Sequence, residues 1–133
     1  MDDRELKCSY TQRAGMRGED ISLSLSKKIG EKPVLDYSVK PWWNAATNAG
    51  VITVPDEVAE RILGMYDSLG IAKWGRLEVR NEFVLDAPSV DVLISVDGDR
   101  HFFSRDTVFP DGAWGLISDI ENLLMDCVPK EKE

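Results

Sequence analysis

A chain of 133 residues, 43% hydrophobic and 30% charged, has the size of one domain that buries its own core, and its composition is far from that of disordered chains. Its formal net charge of −8 sets up a field that repels phosphate backbones and anionic lipid surfaces, so neither nucleic acid nor membrane is an expected partner. No run approaches a membrane span. The start Met1, Asp2, Asp3, Arg4, Glu5 is the opposite of a cationic signal peptide, which places the chain in the cytoplasm unless an export signal has been removed.

Along the chain, residues 6–12 read as a short mixed strand, and Gly15 and Gly18 supply a turn. Residues 20–27 alternate cleanly, with Ile21, Leu23 and Leu25 on one face and Ser22, Ser24 and Ser26 on the other. That period of two marks a strand with one face in the core and one in water. Leu35, Tyr37 and Val39 repeat the pattern after Gly30 and Pro33 and predict a hairpin partner, which Pro41 ends. Residues 42–50 read as a loop before a short extension at Val51 and Ile52. Thr53 as N-cap, Pro55 in the first turn and the acids Asp56 and Glu57 then predict a helix start. Val58, Ile62, Met65, Tyr66 and Leu69 follow at helical spacing, and Gly70 ends the helix.

Leu77, Val79, Phe83 and Leu85 predict one or two strands before Pro88. Val90, Val92, Ile94 and Val96 predict another, with a hairpin at Asp97, Gly98 and Asp99 returning through His101, Phe102 and Phe103. A second helix is expected over 111–127, with Ala113, Ile117, Ile120 and Leu124 on one face. Val54, Pro55 and Asp56 recur 55 positions later as Phe109, Pro110 and Asp111. This suggests a strand-hairpin-plus-helix unit stated twice, although two amphipathic helices with Pro-Asp starts also match by chance. The expected fold is α+β: a single domain over 1–133, frayed at 129–133, with a largely antiparallel sheet and two amphipathic helices on one face. The sheet face carrying Ser22, Ser24 and Ser26 would stay open to water or to a partner.

Several stretches together resemble a family of small bacterial α+β domains with no established activity. They are Gly15, Met16, Arg17 and Gly18 before the Ser/Leu alternation, Leu85 and Asp86, the hairpin from Ile94 to Gly98, Ser104, and Phe109 with Pro110 before the last helix. The chain departs from that pattern with Arg105 where glycine is common and Phe109 where tyrosine is common. The resemblance implies no functional residue.

Cys8 and Cys127 lie near opposite ends, a spacing that makes neither a disulfide framework nor a zinc site, so both read as small buried hydrophobes. His101 is the single histidine, and any acid/base chemistry at neutral pH would begin there. No nucleophile motif accompanies it, and it reads as structural or solvated. Asp97, Asp99 and Asp106 are hard-cation ligand types, but Asp-Gly-Asp is equally a hairpin turn. Lys27 and Lys28 read as solvated lysines at a turn. Trp74 and Trp114, flanking the helices, read as packing residues. Trp42 and Trp43 are the expected partner-binding residues, because adjacent aromatics in a loop offer a surface for a protein or sugar; the alternative is that one fills the gap between helix and sheet.

No catalytic, metal or cofactor signature is present. The functional expectation is therefore a non-enzymatic protein-interaction or self-associating module with an acidic, partly aromatic surface, in narrower form an inhibitor or immunity-type protein for a basic toxin. The alternative is a small-molecule binder or enzyme with a site near His101.

Overall fold

In a computed structural model of the chain, whose described residues are 4–13, 20–40, 47–75, 77–78, 89–104, 107–110 and 112–129, the alternating segments form six strands. They are β1 Leu6–Arg13, β2 Asp20–Lys27, β3 Val34–Lys40, β4 Asn48–Thr53, β5 Ser89–Val96 and β6 Asp99–Ser104. All five pairings are antiparallel and join one sheet in the order β4-β3-β2-β1-β5-β6. The turn expected at 14–18, the Trp42 and Trp43 loop and the strands expected around Val79 to Leu85 lie outside the described residues.

Register carries the inward side chains into rows. Gly50, Tyr37, Leu23, Tyr10, Val92 and Phe103 are successive neighbours across all six strands, and so are Ile52, Leu35, Leu25, Cys8, Ile94 and His101. Leu23, Leu25, Leu35 and Ile94 are fully enclosed, and Cys8 and Tyr10 nearly so. Gly50 is required in its row: a Cβ there would stand 2.8 Å from Tyr37 Oη, inside any real contact.

Helix α1, Asp56–Ser68, and helix α2, Leu116–Met125, contribute Val58, Ala59, Ile62, Leu63, Tyr66, Leu116, Ile120 and Leu124 to the same core as those rows. Leaving β4 at one sheet edge, α1 delivers Tyr66 to Asp99 on β6 at the other. Its 13 residues span about 20 Å at ~1.5 Å per residue, matching about four strand spacings of ~4.8 Å, so the helix crosses the strands rather than following them. Gly70 at φ 67° and a 3-10 turn over Ile71–Lys73 end it.

Two local expectations are corrected. The cap position of α1 is Pro55 with no side-chain cap bond, because Thr53 is still paired with Val34 in β4. Helix α2 begins at Leu116 rather than at 111. Gly112 at φ 86° turns the chain first, and Ala113 is buried in that turn. The halves are also unequal, with four strands before α1 and, among the described residues, two before α2.

Candidate functional site

The outward rows define the other side of the sheet. Val51, Asp36, Ser24, Ser9, Leu93 and Phe102 are neighbours in one row, and Ala49, Ser38, Ser22, Thr11, Asp91 and Ser104 in the next. Short hydroxyl side chains fill the middle strands, while Phe102 and Val51, 68% and 64% exposed, mark the two edges. No described element packs on this face. Its charges are mixed, with Lys7, Arg13, Lys40 and Arg100 against Asp20, Asp36 and Asp91. Among the described residues, the helices are more strongly acidic than this face. Helix α1 carries Asp56, Glu57, Glu60 and Asp67 against Arg61, and α2 carries Asp119 and Glu121 with no base. These helices are acidic on the sides turned from the core, which must be polar.

At the end of the sheet where β1 begins, the open face dips into a depression of about 390 Å³ whose lining includes the cations Lys7, Lys27, Lys28 and Arg100, the acids Glu5 and Asp97, and Ser26, Leu93 and Ser95. Lys7 is the strand neighbour of both Ser26 and Ser95, and Ser95 that of Arg100. The Arg100 guanidinium lies 5.2 Å from the centre of the Phe102 ring, a cation–π contact that holds it over the face. Asp97 is committed to the turn, since its Oδ1 accepts the Glu5 N–H at 2.8 Å and its own N–H donates to the Glu5 carbonyl. The turn explanation of Asp97-Gly98 therefore holds, with φ of 49° and 86°.

On the helix side of the same end, Asp99 Oδ2 accepts a hydrogen bond from Tyr66 Oη and lies 2.8 Å from His101 Nε2. His101 stacks on Phe103 at 6.5 Å and meets Tyr66 edge-on at 6.2 Å. Burial, then the Asp99 hydrogen bond, pushes the Tyr66 phenol up to about 12. The hydrogen bonds from Tyr66 and His101 hold Asp99 below the usual carboxylate range. Nearby, Arg4 forks onto Asp67 with two 2.7 Å bonds. Among the described residues one carboxylate, Asp99, reaches His101, and the arrangement ties α1 to β6.

Trp74 packs as expected, donating to the Leu69 carbonyl at 3.1 Å and meeting Phe103 edge-on at 5.7 Å. Trp114 does not: it is 81% exposed. It sits in the turn that replaces the expected first turn of α2, so its side chain loses the helical phase that would have aimed it inward. Trp42 and Trp43 lie outside the described residues. Cys8 is buried in β1, with burial pushing its thiol up to about 12, and Cys127 is half-buried past α2. No group of three or more metal-ligand side chains occurs among the described residues. None of their helices is long and apolar enough to cross a membrane.

No protein-family model matches the chain, and no curated protein matches it.

Proposed function

We propose that the chain is a non-enzymatic protein-binding module that docks a partner on the face of the sheet opposite its two helices. The carrying observation is that six strands present the Ser24, Ser9 and Leu93 row to solvent between exposed Phe102 and Val51. In this reading both amphipathic helices shield one face only. A broad, shallow, hydroxyl-rich surface with an apolar residue at each margin suits another protein better than an enclosed small molecule. Its mixed charges suit a partner of mixed charge. A second copy is disfavoured, because two bodies of net charge −8 repel on approach.

The test is affinity capture from cells that express the chain, comparing wild type with Ser24→Arg on the open face and Glu60→Arg on the exposed side of α1. A partner retained by wild type and by Glu60→Arg but lost with Ser24→Arg is the expected result. Equal retention by all three proteins refutes the proposal, as does a wild type that retains nothing and is monomeric in light scattering.

A second reading starts from the Asp99, His101 and Tyr66 contacts, which would orient an imidazole for proton transfer. Replacing His101 with alanine while ligand binding stays unchanged removes it.

A further inference from the structure

We propose that the corner of the open sheet face built by Lys7, Lys28 and Arg100 binds a phosphate-class oxyanion, either free or carried as a phosphoryl group by a partner. The inference goes beyond the protein-docking reading and does not require it. These three cations are remote in sequence: strand register brings Lys7 and Arg100 to one depression, and Lys28, just past the end of β2, lines it as well. Lys7 and Arg100 stand two strands apart, about 10 Å between backbones, with Ser95 between them in the same row.

None of the three forms an ion pair among the described residues. Two carboxylates, Glu5 and Asp97, line the same depression, and against them stand Lys7, Lys27, Lys28 and Arg100, so positive charge remains in surplus. The acids of α1 and α2 belong to the helical layer, so their repulsion is screened over a Debye length of about 8 Å at physiological salt.

The donor set selects the ligand class. A guanidinium presents a planar fork to two oxygens, each ammonium acts as a point charge, and the Ser26 and Ser95 hydroxyls donate to a third oxygen. A lone carboxylate, with two oxygens and one charge, would leave cations uncompensated, whereas a phosphoryl dianion matches three donors around a tetrahedral centre. The depression of about 390 Å³ accommodates such a group with water.

The test is a backbone-amide NMR titration of the full chain at low ionic strength, with inorganic pyrophosphate in one arm and a phosphoserine peptide in the other. The expected result is saturable shifts centred on Lys7, Ser26 and Ser95. Lys7→Ala and Arg100→Ala should each weaken binding about tenfold, roughly 1.4 kcal/mol. Lys40→Ala, at the far end of the same face opposite Asp20, should change it by less than about twofold. Tighter binding of the peptide identifies a partner-borne phosphoryl group, and tighter binding of pyrophosphate a free anion. No saturation by either probe up to about 10 mM, or wild-type affinity in both Lys7→Ala and Arg100→Ala, overturns the proposal. The dispersion of each variant's spectrum reports its folding in the same experiment.

Discussion

Leu23 and Ser24 are consecutive residues of one central strand, and exchanging each for alanine measures which face of the sheet is covered. Leu23 has no exposed surface and stands between Tyr10 and Tyr37 in its row. Truncation to alanine removes three carbons, about 2.4 kcal/mol at ~0.8 per carbon, and the void left between two rigid aromatic neighbours raises the loss to about 3–4 kcal/mol. For a chain of this length that corresponds to a fall in Tm of about 10–15 °C. Ser24, one position on, points away from the core between Ser9 and Asp36, and its replacement should fall within about 0.5 kcal/mol of wild type. Urea unfolding followed by tryptophan fluorescence reads both, with the slope unchanged if only native stability has moved. Comparable losses for the two variants would mean that both faces are buried, and would refute the reasoning behind the docking face.

Gly50→Ala forces its new methyl against Tyr37 Oη, and should cost about 1–3 kcal/mol in the same assay by overpacking. The Tyr66 phenol, raised to about 12 in the folded state, contributes stability that is complete below its unfolded value of about 10 and is lost as pH rises through 12. The urea midpoints of wild type and Tyr66→Phe should therefore converge between about pH 10 and 12; a constant gap would contradict the tie to Asp99. The depressed Asp99 acts in the opposite sense. Its contribution is present above the ordinary aspartate value and lost as pH falls through the lowered one, so Asp99→Asn should flatten the acid limb of the stability profile. Cys8, buried with its thiol pushed up to about 12, should react with a disulfide reagent only after unfolding, whereas rapid labelling of both thiols in the native chain would show that β1 opens.

Much of the fold was legible because period and punctuation agree. The alternation at 20–27 reproduces the bounds of β2, and Pro55 with Gly70 brackets α1. The hairpin at Asp97 and Gly98 occurs with the positive φ that its residues favour. β4 is longer than its sequence predicts because its inward row contains Gly50, where the apolar atoms over the backbone belong to Tyr37 on the next strand. The phase of α2 differs from the one its sequence predicts because Gly112 turns the expected first turn into a reversal, which also leaves Trp114 outside. The site was the least legible part. Lys7, Lys28 and Arg100 look like isolated solvated charges until the fold places them at one corner, and nothing local announces that β1 will lie between β2 and β5. An imbalance of charge between the two layers is likewise invisible to a net count.

The central place of β1 also governs how the molecule is made. Its first partner, β2, follows within a few residues, but its second, β5, begins only at Ser89. During synthesis the four-stranded meander and α1 therefore emerge with the backbone groups of β1 facing nothing on one flank, an adhesive border in the middle of the future sheet. Residues 89–104 act as the closing clasp. A chain cut short before them, or slow to deliver them, would offer that border to the β5 of a neighbouring molecule, and strand exchange between copies is the failure this topology invites.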